Sequence, residues 1–255
     1  MVCAIITMAV GADFRKAMAP GLESKRAYAK RHGYTYIEYG DEVYEKERPI
    51  AWYKIQALKR YLESTPNPAP WVFFSDADVI ITNPEIKLES FIDTFPQTAN
   101  FIWTLDACGH LNSGNVFYRT SEKAWCLEFI EQIWSKTDYI YHPWWENAAM
   151  ILVHDNQPEM RAHIHTVVNP AHFNAYVFAV PQDRATSNVM DLLRDRYHPD
   201  HAWIKGDRRL YQPGDFLIHF AGVYNIKTMT KMMKYIQENS TNPDLRILSH
   251  IRETT

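Results

Sequence analysis

PWVFFSDADVIITNP, Pro70 to Pro84, is the stretch that decides how this chain folds and where its chemistry sits. Trp71-Val72-Phe73-Phe74 is a short run of aromatic and β-branched residues bounded by Pro70 and Ser75, the pattern of a strand covered on both faces of a parallel sheet. Asp76 and Asp78 follow at once, so two carboxylates leave together from the carboxyl end of a core strand. Open α/β sheets bind ligands at that edge. Paired hard oxygen donors suit Mn2+ or Mg2+, and such an ion in turn suits a diphosphate. The tripeptide alone is uninformative: with 15 aspartates in 255 residues, an Asp-x-Asp arises about once by chance. Its place after one apolar run and before another, Val79-Ile80-Ile81 closed by Asn83-Pro84, favours the metal reading. The competing reading is a strand-end turn whose Asp side chains bond local backbone N–H groups.

Toward the N-terminus, Val2 to Val10 reads as a first buried strand followed by a loop at Gly11-Ala12-Asp13. Pro20-Gly21 opens a helix that runs LESKRAYAKRH and stops at Gly33, with basic residues in its last turn. Tyr34 to Tyr39 alternates as a second strand, and Gly40 to Arg48 is a charged loop. Ala51 to Glu63 places Trp52, Ile55, Leu58 and Leu62 on one helical face, and the prolines between Ser64 and Pro70 end it. Strand, helix, strand, helix, strand predicts the α/β class, with a Rossmann-like, mainly parallel central sheet flanked by helices and joined by right-handed crossovers.

Toward the C-terminus the pattern loosens. The reading gives a short helix over Leu88 to Phe95, a strand over Phe101 to Leu105, and a turn-rich loop Gly109 to Asn115 leading into a strand Val116 to Arg119. Ser121 caps a helix reaching Ser135, Tyr139 to Trp145 is an aromatic loop, and Glu146 to His154 is a further helix. Strands follow near His163 to Val168, Tyr176 to Val180 and Phe216 to Phe220. Gln182 to Gln212 reads as a flexible lid, and Ile226 to Glu238 as a helix burying Met229, Met232, Met233 and Ile236.

Composition bounds the class. Apolar residues at 46% and charged residues at 22% describe an ordinary globular chain, read as one domain over 1–255. Within it, 1–120 and 121–255 are the two expected halves. A net charge of −3 without a basic stripe argues against nucleic acid, and no apolar run has the length of a membrane span. Cys3, Cys108 and Cys126 lack metal spacing and are odd in number, so free thiols in a reducing, cytoplasmic setting are expected. Aromatic residues reach 14%, with eight Trp; sugar C–H faces pack on such rings, though most are expected in the core.

Three further stretches carry candidate chemistry. In GDFLIHFAG, His219 is either a core histidine or a third metal ligand, Gly222 allows close backbone approach to a phosphate, and Lys227 stands ready to neutralise a diphosphate. Asn112-Ser113-Gly114 is a polar trio at the mouth of a strand, suited to sugar hydroxyls or to a simple turn. Trp144-Trp145-Glu146-Asn147 sets a carboxylate and an amide behind two indoles, a hydroxyl clamp or a helix-dipole stabiliser.

Taken in order, YAKRHGYTY, AWYKIQALKRYL, WVFFSDADVIITNP, NSGNVFYR, WWENAAMILVHD and GDFLIHFAG make the chain resemble the retaining GT-A-fold glycosyltransferases of family 34, and more distantly the glycogenin-like family 8. The resemblance implies a transferase moving a hexose or pentose from a nucleotide-diphosphate sugar, UDP-linked by preference, to a glycan hydroxyl. It implies a Mn2+ or Mg2+ ion held by Asp76, Asp78 and His219. It assigns donor contacts to Thr7, Lys54, Asp76, Ala77, Asn112, Ser113, Gly114, Gly222 and Lys227, and roles at the anomeric carbon and acceptor to Glu146 and Asn147. The chain departs from the family in having Glu146-Asn147 where Asp-Gln is usual, and Tyr224-Asn225 where a phosphate-binding Lys is usual. It also lacks the N-terminal anchor and stem, from which a soluble bacterial or viral form is expected. Two other classes remain: a metal-dependent phosphohydrolase of nucleotide or sugar phosphates, and a non-catalytic carbohydrate-binding protein of the same fold.

Overall fold

A computed structural model describes residues 3–106, 109–176, 210–241 and 243–253. The expected strand end at Val180, most of the Gln182 to Gln212 lid, and Cys108 lie outside the described residues.

The N-terminal half builds as the hydrophobic periodicity dictates. β1 (Cys3–Met8) is followed by α1 (Ala12–Ala17), α2 (Ala19–His32), β2 (Thr35–Tyr39), α3 (Tyr53–Ser64), β3 (Trp71–Ser75) and β4 (Val79–Ile81). The segment Gly11 to Asp13, expected as a loop, is instead the start of a helix. Gly11 takes φ 86°, turns the chain out of β1, and its N–H donates to Oδ1 of Asp41 at 2.6 Å. Gly33 ends α2 in the left-handed conformation at φ 71°, as its position after Lys30, Arg31 and His32 predicts.

Next come α4 (Leu88–Ile92), β5 (Phe101–Leu105), β6 (Leu111–Tyr118), α5 (Lys123–Trp134), α6 (Trp145–Asn156), α7 (Pro158–Arg161) and β7 (Ile164–Val167). β8 (Leu217–His219), α8 (Ile226–Glu238) and α9 (Leu245–Glu253) close the chain. β6 begins at Leu111, so Asn112-Ser113-Gly114 lies inside a strand rather than in the expected loop. Pairing with β5 and β3 supplies its backbone partners and overrides the turn propensity of Asn, Ser and Gly. Ser121, expected as a helix cap, makes no capping bond; it lies in a short 3-10 turn ahead of α5.

The main sheet has the order β2-β1-β3-β6-β5-β7. β1 runs parallel to β2 and β3, β5 parallel to β7, and β6 runs against both of its neighbours. β4 and β8 form a separate two-stranded antiparallel sheet. Alternation along β3 feeds two cores. Val72 and Phe74 face Trp52, Leu58, Phe129 and Ile133, whereas Trp71 and Phe73 face Tyr28, Phe95, Phe173 and Phe216. Each fully buried ring contributes about 1.5–3 kcal/mol of transfer free energy. A third cluster, in which Met18 and Leu22 meet Met229, Met232, Met233 and Ile236, packs α8 behind the motif. Among the described residues no helix is long and apolar enough to cross a membrane.

Candidate active site

Backbone pairing, more than side-chain contact, assembles the site. β3 ends at Ser75, and the N–H of Asp76 donates to the Gly114 carbonyl at 2.8 Å, extending the ladder with β6. In the small sheet Val79 is paired with His219, and the N–H of Phe220 donates to the Asp78 carbonyl at 3.0 Å. A histidine distant in sequence is thereby fixed beside the motif. Ligand atoms of Asp76, Asp78 and His219 lie within 4.8 Å of one another, and Nε2 of His219 is 3.5 Å from Oδ1 of Asp78. The other ring nitrogen, Nδ1, sits 2.7 Å from Oδ1 of Asn174 and is therefore directed away from the aspartates.

This donor set fits a divalent cation. Two carboxylates and one imidazole match the hard-to-borderline preference of Mn2+ and leave coordination positions for phosphate oxygens. The space between the donors is kept open by Gly114: a Cβ there would fall 2.4 Å from Cε1 of His219 and 3.2 Å from Oδ2 of Asp76.

A buried charge network supports Asp76. The Lys54 ammonium meets its Oδ1 at 2.8 Å and its Oδ2 at 3.0 Å, and reaches Oε1 of Glu146 at 3.2 Å. Burial works against the Lys54 charge, but Asp76 and Glu146 together outweigh it and raise the pKa above the ordinary lysine value. Glu146, with 3% of its surface exposed, is shifted upward by burial against the opposing pull of Lys54, and Asp76 adds to the rise. Its Oε1 also accepts from the Ser113 hydroxyl at 3.1 Å, while Oε2 is buried without a hydrogen-bond partner. Burial likewise pushes the Asp78 carboxyl up, yet His219 and Lys25 bring it below the usual aspartate range.

The remaining expected residues lie on β1, in the motif turn, on β6, at the start of α6, and in the segment from β8 into α8. Oδ1 of Asn112 accepts from the Gly114 N–H at 2.9 Å, and Asn147 donates to the Leu111 carbonyl at 3.0 Å while its own Oδ1 stays buried and unpartnered. Thr7 is fully buried in β1 beside Glu38 of β2, with its hydroxyl unpartnered. Ala77 is buried at the turn of the motif. Gly222, at φ 80°, lies in the turn after β8, and Lys227 stands exposed in the first turn of α8. Asn225, which replaces the expected lysine, caps α8 by accepting from the Thr228 N–H at 3.1 Å.

Two supports escaped the sequence reading. Lys25 is fully buried behind the motif, where its ammonium donates to the Val79 carbonyl at 2.7 Å and the Gly21 carbonyl at 3.4 Å. Burial lowers its pKa to about 7 against the pull of Asp78 and Asp76. Gly21 presses on the same turn, since a Cβ there would lie 2.3 Å from the Ala77 carbonyl oxygen and 2.6 Å from that of Val79. Gly21 and Lys25 stand four apart, on one face of α2, and that spacing was the signal available. Asn174, which follows β7, had no comparable signal.

Residues 13–94, the span holding Lys54, Asp76, Ala77 and Asp78, match the galactosyl transferase GMA12/MNN10 family, glycosyltransferase family 34. Over that span the chain is similar to the family 34 glycosyltransferases. The chain is 28% identical over 177 residues to the probable alpha-1,6-mannosyltransferase MNN10 of Saccharomyces cerevisiae, covering 56% of this chain and 44% of that protein. It is 24% identical over 244 residues to the uncharacterized alpha-1,2-galactosyltransferase C1289.13c of Schizosaccharomyces pombe, covering 81% of this chain and 56% of that protein. The chain thus spans about half the length of these curated relatives. Among solved structures, a glycosyltransferase involved in glycosylation of the major capsid of PBCV-1 superposes with a TM-score of 0.62 at 15% identity, over 91% of this chain and 98% of that one. At that identity the likeness speaks for the fold, and the fold is GT-A.

Proposed function

We propose that this chain is a metal-dependent, retaining glycosyltransferase that moves a hexose or pentose from a nucleoside-diphosphate sugar, UDP-linked by preference, to a glycan hydroxyl. The observation that carries the reading is the convergence of Asp76, Asp78 and His219, with donor atoms within 4.8 Å, at the sheet edge of a GT-A fold. The mannosyl- and galactosyltransferase relatives support the reaction class. Residues 1–120 would then hold the donor and 121–255 the acceptor side of one domain. The free, buried thiols of Cys3 and Cys126 support a reducing, cytoplasmic setting.

In this reading Asp76, Asp78 and His219 hold Mn2+ or Mg2+, which when bound supplies Lewis-acid neutralisation of the diphosphate leaving group. Lys54 fixes the rotamer of Asp76 by engaging both of its oxygens and stays charged at neutral pH. Ser113 and Lys54 orient Glu146 from one side. The pocket face of β6 offers Asn112 and Gly114 to the donor sugar, and the exposed Lys227 offers positive charge to the diphosphate.

Retention is assigned to a front-face route. The acceptor hydroxyl attacks from the side that the leaving phosphate departs, and a phosphate oxygen takes its proton, so no protein base is required. The burial of Glu146, with 3% of its surface exposed, supports this route over a covalent one, because a nucleophilic carboxylate has to face the sugar. Nucleotide-sugar donors incubated with the protein and Mn2+ should yield free sugar slowly, and transfer products when glycan acceptors are added. Release of inorganic phosphate from nucleotides without sugar transfer would overturn the reading in favour of a phosphohydrolase.

A further inference from the structure

Asn174 is fully buried and connects more of the site than any residue named so far. Its amide nitrogen lies 2.9 Å from the Thr104 hydroxyl, 3.0 Å from Oδ1 of Asn112 and 2.9 Å from the Tyr176 hydroxyl. Its Oδ1 accepts from the Asn115 amide at 2.8 Å and lies 2.7 Å from Nδ1 of His219. These contacts settle which way the amide faces. Oδ1 of Asn112 is an acceptor already bonded to the Gly114 N–H, so the Asn174 atom turned toward it must be the NH2 group. With the Asn174 oxygen thus turned the other way, the Asn115 group that meets it at 2.8 Å is an NH2, and the Asn115 Oδ1 is left to accept from the Ser75 hydroxyl at 2.7 Å. The Asn174 atom facing His219 is therefore an acceptor.

We propose that Asn174 is a positioning residue that holds His219 in the Nδ1–H tautomer and so presents the Nε2 lone pair to the ion between Asp76 and Asp78. An imidazole facing a carbonyl oxygen through Nδ1 has to carry its proton there, and the neutral ring then has its lone pair on Nε2 alone. Tyr176 lies against the ring with centroids 5.2 Å apart, and the His219 backbone N–H donates to the Ala175 carbonyl at 2.7 Å. The same short segment, Asn174-Ala175-Tyr176, thus sets the position, tilt and tautomer of the ligand. Ser75, Asn112 and Asn115, on β3 and β6, link the main sheet through Asn174 to a histidine that belongs to the small one.

The proposal rests on His219 being a ligand, but its first readout needs no metal. Protein labelled with 15N in its histidine rings, metal-free and above the histidine pKa, reports the tautomer through long-range 1H–15N spectra, with His219→Gln identifying the signal. The wild type should show protonated Nδ1 and bare Nε2. Asn174→Leu should shift His219 toward the Nε2–H form and weaken Mn2+ binding, measured with the metal alone, by about 10- to 100-fold. Asn174→Asp, which keeps an acceptor against Nδ1, should retain the tautomer. Thr104→Val removes a buried partner of Asn174 without touching Oδ1 and should change neither reading. An Nε2–H tautomer in the wild type would overturn the proposal even if Asn174→Leu fails to fold. So would a folded Asn174→Leu protein with wild-type tautomer and Mn2+ affinity. A correct tautomer in a protein that does not bind Mn2+ would leave the positioning intact and count against the metal reading instead.

Discussion

The Lys54 ammonium spans Asp76 and Glu146, at 2.8 Å from one carboxylate and 3.2 Å from the other, and so joins the Asp-x-Asp motif after β3 to the start of α6. Glu146 is consequently tied through Lys54 to Asp76 of the proposed metal site. Glu146→Gln keeps the size but removes the charge that faces Lys54. Because Lys54 retains Asp76, the variant should lose about 1–3 kcal/mol rather than the whole of a broken buried pair. Urea unfolding of wild type and variant checks this; an unchanged midpoint would show that the pair carries no net stabilisation.

The front-face route makes a separate prediction. After incubation with donor and Mn2+ and rapid acid quench, the intact mass of the protein should be unchanged. A glycosyl adduct mapped to Glu146 would replace this route with a double displacement.

Gly114 separates His219 from Asp76, so Gly114→Ala places a methyl group 2.4 Å from Cε1 of the histidine. The strand has to shift or the imidazole has to leave. Overpacking of this kind costs about 1–3 kcal/mol, and Mn2+ affinity should fall with it. Calorimetric Mn2+ titration alongside a thermal melt separates the two effects; wild-type affinity in the variant would place the ion elsewhere.

Lys25 gives the stability a pH dependence of definite sign. In the unfolded chain it keeps its proton to the ordinary lysine value of 10.5, whereas in the fold burial lowers that value to about 7. Across this window the unfolded state binds the extra proton, so raising the pH favours the fold, by at most about 1.4 kcal/mol per pH unit. Below pH 7 both states carry the charge and the contribution is constant. The difference in unfolding free energy between wild type and Lys25→Met should therefore grow in favour of wild type from about pH 7 to 10. A flat difference would mean that Lys25 stays protonated in the fold.

Much of this geometry was legible beforehand, for reasons visible in particular residues. Trp71 to Phe74 carries the pattern of a strand covered on both faces, which places Asp76 and Asp78 at its carboxyl end. Gly33 after three basic residues marked the end of α2, and the spacing of Met229, Met232, Met233 and Ile236 marked the buried face of α8. Asn112-Ser113-Gly114 looked like a turn because its local propensities are those of turns; only pairing with β3 and β5 makes it a strand. α1 was hidden because Gly11 to Asp13 carries loop residues and the helix after it buries no side chain fully. Lys25 had only its spacing from Gly21 to mark it, and Asn174 had no signal. A buried polar side chain is intelligible through its partners, and theirs lie on other strands.

The central claim is that Asp76, Asp78 and His219 bind a divalent ion that secures a nucleoside diphosphate. Calorimetric titration of UDP and GDP, with and without Mn2+, into wild type and Asp78→Asn tests it most directly. Binding of one diphosphate only when Mn2+ is present, lost in a variant that still melts within a few degrees of wild type, is the predicted result. Diphosphate binding that ignores both the ion and the substitution would contradict it.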